Sequence, residues 1–310
     1  MGLFARKSII RSGLVFERDS FRFLSLRNEK GTFDVTDAVC EEYPEYLKGR
    51  DVFADFAADI GDYFSFAVSR LAVKDLSVNL SLPFRDVMIR TVNFPKMSTA
   101  EAALAFRYDF GNYFPFPIEE GVFDMAEIKY PCESGRRFVV AAARRKLIEN
   151  IEDAAKACGI RIKALEPAQI AAERSVTQHD RSDGGVYIYV GEEQSFMIFS
   201  WKKNGIYYRS IQSDAADVLA FSDGESDIFT QTAERFADEV RLAFTFGLSQ
   251  NAGFNAENIY LFGRGASKHL CKFVSEAIDG YSVKVTSCAD VHNINIDGSG
   301  WEIAVGLAMR

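Results

Sequence analysis

The chain has 310 residues, of which 48% are hydrophobic and 26% charged, with a formal net charge of −8. That length can bury a large core in one or two domains, and the mixture is ordinary for a globular protein. The acidic balance, with no concentrated basic stripe, excludes a general nucleic-acid binder, because phosphate contacts need a basic surface.

Twenty-seven Phe against two Trp point to packed, aromatic-rich layers. The five cysteines (Cys40, Cys132, Cys158, Cys271 and Cys288) are widely spaced and form no CxxC pair. An odd number without a secretory signal reads as free thiols in a reducing cytoplasm. No run approaches the roughly 18 apolar residues that a membrane span requires. The opening Met1-Gly-Leu-Phe-Ala-Arg-Lys-Ser-Ile-Ile-Arg11 is too short and interrupted for a signal peptide and reads as a frayed basic terminus, with contact to a membrane surface or a partner as the alternative.

Residues 13–26 read as two strands around a polar turn at Glu17 to Ser20. Helical spacing then places Val52, Phe56, Ile60, Phe64, Ala67 and Leu71 on one face. A strand at 76–82 alternates cleanly and is stopped by Pro83. The next unit opens with a strand at 86–93. Ser98-Thr-Ala-Glu101 is a capping box, in which hydroxyl and carboxylate satisfy opposite orphan amides. The helix it starts must end at Phe114-Pro-Phe-Pro117, since each Pro lacks a donor and disfavours helix in the residue before it. Strands near 122–130 and 137–143 follow. A helix then carries Leu147, Ile148, Ile151, Ala155 and Cys158 on one face and ends at Gly159, before a strand through Glu166.

Ser175 to Gly185 is polar, ends in two glycines and reads as a linker. Three strands at 186–191, 195–200 and 205–211 come next, repeating in longer form the strand-turn-strand opening at 13–26, which suggests two related halves. A helix buries Ala233, Phe236, Ala237, Val240, Ala243, Phe244 and Gly247. Strand 258–262, the turn Gly263-Arg-Gly265, a helix to about Ile278, a strand at 282–286 and a helix from Trp301 to Met309 complete the chain.

Two such halves, with a small unit inserted in the first, resemble the actin-like α/β fold, and more narrowly the PilM family of type IV pilus assembly proteins, cousins of FtsA. Four stretches carry the likeness. They are Tyr113-Phe-Pro-Phe-Pro-Ile-Glu-Glu120; Phe138-Val-Val-Ala-Ala-Ala-Arg-Arg145 with Ala157-Cys-Gly-Ile-Arg-Ile-Lys-Ala-Leu-Glu166; Val186-Tyr-Ile-Tyr-Val-Gly191; and the helix at 232–250 leading to Ile259-Tyr-Leu-Phe-Gly-Arg-Gly-Ala266, with Val305-Gly-Leu-Ala308 near the end. The short Phe-Ala-Arg-Lys start also looks like the family's N-terminus. The resemblance implies an actin-like first lobe of 1–83 and 164–180, an FtsA/PilM-type inserted subdomain of 84–163 and a second lobe of 185–310. It also implies a groove for the N-terminal cytoplasmic peptide of a PilN-like membrane protein, contacts with other pilus or secretion platform proteins, and a cytoplasmic location at the inner membrane. The GspL cytoplasmic domain of type II secretion is the nearest alternative.

In this fold two strand turns cradle the nucleotide phosphates. Each typically needs a Gly for backbone approach and an Asp on the magnesium side. Where the family's first turn reads Asp-Ile-Gly, this chain has Val15, Phe16 and Glu17, with Asp19 displaced along the turn. The second turn is Tyr189-Val190-Gly191, then Glu192 and Glu193, so the Gly remains and the Asp is gone. Gly263-Arg-Gly265 fits the place where the family contacts adenosine, and equally fits plain strand-to-helix geometry. No P-loop, Gly-x-Gly-x-x-Gly, Ser-His-Asp set or metal-ligand cluster is present, and His179, His269 and His292 stand apart.

The reading is therefore a non-enzymatic scaffold with a vestigial site at Gly191, Gly263, Gly265, Glu17 and Asp19, binding ATP and magnesium weakly or not at all. Tyr113, Phe114, Phe116 and Ile118, with the 86–93 strand, would form or support the partner groove; packing the insert's own core is the alternative for each. An active actin-like ATPase, with Glu17, Asp19, Glu192 or Glu193 as magnesium ligands, is the competing reading. The chain ends at Arg310 within the fold, so an FtsA-like C-terminal membrane helix and direct membrane insertion are not expected. Homo-oligomerisation leaves no readable signature.

Overall fold

A computed structural model describes the chain apart from residues 1–8, 30, 51, 54–56, 72–75, 132–134, 178–182, 193 and 213–226. The basic opening segment to Ser8, Phe56, Cys132, His179, the middle of the 175–185 stretch and Glu193 lie outside the described residues. Two compact units form. One takes Met1–Ser81, Ile151–Val176 and Cys288–Arg310; the other takes Leu82–Asn150 and Thr177–Ser287.

The first unit holds a five-stranded sheet of β1 (Ile9–Phe16), β2 (Ser20–Glu29), β3 (Thr32–Glu42), β4 (Ser77–Leu82) and β8 (Arg161–Pro167), in the order β3-β2-β1-β4-β8. β1 pairs antiparallel with β2 from Phe16 opposite Phe21 to Ile9 opposite Asn28, and parallel with β4. Ser20 to Leu26 are all buried, so both faces of β2 are covered. Its helices are α1 (Ala57–Arg70), α4 (Ala168–Thr177), α7 (Cys288–His292) and α8 (Glu302–Ala308). Ile60, Phe64 and Ala67 of α1 face inward, while Val52 is buried in the turn ahead of the helix.

Three elements of this unit depart from the sequence reading. β3 places Phe33, Val35 and Val39 at alternate half-buried positions among exposed polar residues, the pattern of an edge strand with little apolar content. α4 takes in Ser175 and Thr177, which had read as linker; both are buried, and the Ser175 hydroxyl donates to the Ala172 carbonyl at 2.7 Å. α7 is only five residues long, too short for a periodic signal.

The second unit contains two sheets. β5 (Val87–Phe94), β6 (Gly121–Ile128) and β7 (Arg136–Arg144) pair antiparallel in the order β5-β7-β6. α2 (Thr99–Tyr113) packs Ala102, Phe106 and Phe110 on this sheet. The capping box is formed: Glu101 N–H donates to Ser98 Oγ at 3.3 Å and Ser98 N–H to the Glu101 carboxylate at 2.7 Å. The Ser98 N–H and the Ser98 hydroxyl, both donating to the carboxylate, hold the Glu101 carboxyl below its ordinary value. α3 (Arg145–Ala157) follows β7 and ends at Gly159, whose φ of +72° closes the helix in the left-handed region.

The larger sheet has β9 (Gly184–Tyr189), β10 (Ser195–Trp201), β11 (Asn204–Ile211), β12 (Asn258–Phe262) and β13 (Val283–Val285), in the order β11-β10-β9-β12-β13. Gly184 and Gly185, the end of the expected linker, are already inside β9. α5 (Asp227–Gln250) buries the inner face read from its spacing, and α6 (Lys268–Ala277) is capped by the Ser267 hydroxyl. β9-β10-β11 is antiparallel and β9 pairs parallel with β12, the plan that β1-β2-β3 and β4 follow in the first unit. The doubled opening is thus a doubled sheet topology. Thr91 Oγ1 of β5 donates to Ile206 O of β11 at 3.0 Å, and Arg137 of β7 donates to Asn251 Oδ1 after α5 at 2.7 Å, so the small sheet is fastened to the larger one.

In the first unit every residue of α8 is buried, and its backbone approaches two elements closely. A Cβ at Gly13 of β1 would lie 2.3 Å from Ala304 O, and one at Gly306 would lie 1.7 Å from Ala171 O of α4. In a free helix, Ala in place of Gly gains about 1 kcal/mol. Here the added methyl meets main chain, and overpacking costs about 1–3 kcal/mol or more. Gly306→Ala is therefore expected to lower stability by about 2 kcal/mol in urea unfolding. A stability gain would show that α4 and α8 can separate freely.

Candidate functional site

At the β1–β2 turn, Glu17 N–H donates to Ser20 O at 2.9 Å and closes the reversal. The Glu17 carboxylate accepts from the Ser20 hydroxyl at 3.2 Å and forms an ion pair with Arg22. Arg22 stands on β2 between Phe21 and Phe23 with 5% of its side chain exposed. Its guanidinium lies 5.9 Å from the Trp301 ring centre, and Gly300 packs against it. Asp19 is engaged elsewhere, its Oδ1 accepting the Gly49 N–H at 2.9 Å. Both carboxylates of this turn therefore serve the protein's own donors.

Behind Trp301, Glu302 is buried against Arg22 and Cys288. Burial pushes the Glu302 carboxyl above the ordinary 4.5; backbone N–H donors and the Arg22 charge act the other way. Burial also pushes the Cys288 thiol well up.

In the second unit the β9–β10 turn and the β12–α6 turn meet over Tyr189. Its ring is 4% exposed and lies 4.8 Å from Phe196, 5.3 Å from Phe262 and 5.9 Å from Phe84, centre to centre. A Cβ at Gly191 would come within 2.3 Å of this ring, and one at Gly263 within 2.8 Å. Gly263 also has φ +94°, which a side chain would strain. Both glycines thus make room for an aromatic ring. Gly265 N–H donates to Val190 O at 3.0 Å and Ala266 N–H to Gly263 O at 3.1 Å, so these amides are spent within the protein. Glu192 forms an ion pair with Arg264 that ties one turn to the other. The third turn is followed by Ala266 and Ser267 before α6 begins at Lys268, so Gly263 and Gly265 do not themselves form the helix N-terminus.

A magnesium nucleotide needs open amides and a carboxylate aimed at the metal. At the first turn Arg22 neutralises the Glu17 carboxylate, and at the second Tyr189 fills the space beside Gly191 and Gly263. Among the described residues, no three His, Cys, Asp or Glu side chains gather as a metal site.

The insert residues are placed differently from a free surface. Phe114 and Phe116 are 3% and 7% exposed and pack with Phe106, Phe110 and Phe123. Tyr113 and Ile118 are half-buried against the same cluster. The outer face of α2 instead exposes Leu104 and Tyr108. His292 bonds Ser175 O at 2.8 Å, and His269 stands beside Phe229. Sequence reasoning singled out the turn positions and missed Arg22, Arg264 and Glu302. A charged residue inside the apolar run 21–26 was the available signal for Arg22.

Doubled sheets of this topology, with a small sheet inserted after the first, define an actin-like α/β protein. No family model and no curated protein matches the chain. Among solved structures it is similar to a PilM–PilN type IV pilus biogenesis complex, at 18% identity over 97% of this chain and 98% of that one, with a TM-score of 0.73. The ethanolamine utilization protein EutJ from Carboxydothermus hydrogenoformans matches at 10% identity over 97% and 89%, with a TM-score of 0.51. The cytoplasmic domain of EpsL, an inner-membrane component of the type II secretion system of Vibrio cholerae, overlays more loosely, at 14% identity over 82% of each chain and a TM-score of 0.46. At these identities the likeness establishes the fold.

The raised Glu302 pKa fixes the sign of a pH effect. Above the ordinary 4.5 the folded state holds this proton more tightly than the unfolded chain, so stability falls as pH rises from there toward the folded-state pKa. Glu302→Gln, which stays neutral, is expected to flatten that fall in urea midpoints taken across the window. An unchanged slope would assign the effect to other groups.

Proposed function

We propose that the protein is an actin-like scaffold of a type IV pilus-like inner-membrane platform that binds the N-terminal cytoplasmic peptide of a PilN-like membrane protein. In this reading it has lost nucleotide chemistry, and it sits at the membrane through that partner. Among the described residues no helix is long and apolar enough to cross a membrane. The full-length overlay with the PilM–PilN complex supports the platform role. The observation that carries the loss of chemistry is the closure of the phosphate turns: Arg22 neutralises Glu17, while Tyr189 fills the space between Gly191 and Gly263.

The insert supports the partner role by rigidity. Phe114 and Phe116 lock the chain after α2, and Arg145 holds the carbonyls of Glu119 and Gly121 at 3.1 and 2.8 Å. Tyr113 and Ile118 keep part of their surface at this corner. A partner would meet a preformed surface there, which lowers the ordering cost of binding.

Calorimetry with ATP and Mg²⁺ is expected to give no heat, and melting to show no shift, up to about 1 mM nucleotide, a Kd worth only about 4 kcal/mol. Micromolar binding would overturn the loss of the site and restore the ATPase reading. A synthetic N-terminal cytoplasmic peptide of a PilN-like protein is expected to bind at micromolar concentration. Its failure to bind would sink the partner assignment whatever the nucleotide result.

A further inference from the structure

We propose that the outer edge of β3 is a docking strand for a basic, extended segment of a partner protein. β3 is the terminal strand of its sheet and runs for 11 residues, Thr32–Glu42. At about 3.3 Å per residue it offers an edge about 35 Å long. Among the described residues only β2 pairs with it, and its outward backbone groups make no backbone hydrogen bond to another element. Such an edge is a template for an added strand, in which main-chain hydrogen bonds give affinity and side-chain charges select the partner.

The other sheet edges are less available. β13 has three residues. Thr91 bonds Ile206 O on β11, and Arg145 holds Gly121 O at the start of β6. β8 ends at Pro167 and buries Glu166, which Arg174 engages at 2.8 Å.

Charge selects the occupant of β3. The strand carries Asp34, Asp37, Glu41 and Glu42 and no Lys or Arg. Among the described residues Lys48 is the only cation in ion-pair distance of these carboxylates, reaching Glu42 at 3.0 Å. Asp34 and Glu41 are exposed, and no described cation lies within ion-pair distance of either, although Arg27 of β2 stands opposite Asp34 in the register. A second β3 laid alongside would set carboxylates against carboxylates, which is unfavourable. Nucleic acid and anionic membrane are excluded by the same sign. An incoming strand with Lys or Arg at alternate positions would face these acids with opposite charge. This inference stands on the first unit alone and is independent of the partner assigned to the insert.

The test uses the full chain and three labelled nine-residue peptides in fluorescence anisotropy. One alternates Lys with Val, one alternates Glu with Val, and one is the Lys peptide with a central Pro. The Lys peptide is expected to bind. Binding should weaken about tenfold or more for the Pro peptide, which loses strand donors, and for the Asp34→Lys/Glu41→Lys protein. The Glu peptide should not bind the wild type. Amide exchange on the wild type should show new protection within 32–42, which keeps the proposal testable if the variant folds poorly. Equal binding of the Pro peptide, undiminished binding to the charge-reversed protein, or protection elsewhere would overturn it. Concentration-dependent self-association abolished by the same substitutions would overturn it in favour of a second copy of this chain.

Discussion

Arg22 is the charge around which the first turn is organised. A guanidinium cannot shed its proton at any pH the fold survives, so once buried it must be met by a negative partner. Glu17 supplies that partner, and the carboxylate is drawn onto β2 instead of standing free above the turn. The Ser20 hydroxyl, the face of Trp301 and the approach of Gly300 complete the enclosure. The start of α8 is therefore tied to the same charge as the β1–β2 turn. Glu302, the first residue of that helix, is buried beside it.

The second unit closes its turns by different physics. Tyr189 contributes area and ring contacts, and two glycines yield the space it fills. The Glu192–Arg264 pair lies at the rim, partly exposed, and a pair of that kind contributes little stability by itself. Its effect is positional: it draws the β9–β10 turn toward the β12–α6 turn. The resulting enclosure rests on packing, whereas the first turn rests on a buried ion pair, which salt screens only weakly.

Much of this architecture was legible because period and punctuation agreed. The helix read at 232–250, the 258–262 strand and the capping box at Ser98 each combine a clear spacing with a clear stop. β3 was passed over because Asp34, Thr36 and Asp37 dilute its apolar residues, as an edge strand permits. α4 was partly read as linker because Ser175 and Thr177 are polar, and only tertiary burial with a bond to Ala172 O explains them. At the turns the departures at Glu17 and Tyr189 were visible one residue at a time. What the sequence could not carry was pairing: that Glu17 meets Arg22, that Glu192 meets Arg264, and that Gly191 and Gly263 face one ring. Those are contacts across strands, and no spacing along the chain encodes them. The insert aromatics show the same limit, since Phe114 and Phe116 turned out to fill a core that α2 and β6 close.

The pairings also set how much change these turns tolerate. Glu17→Gly would leave Arg22 buried without its carboxylate, and removing one member of a buried pair costs about 3–5 kcal/mol. Tyr189→Asp would place a carboxylate among Phe84, Phe196 and Phe262, where an unpaired charge is strongly disfavoured. Each single change therefore destabilises its own unit, one through an uncompensated guanidinium and the other through a carboxylate among aromatic rings.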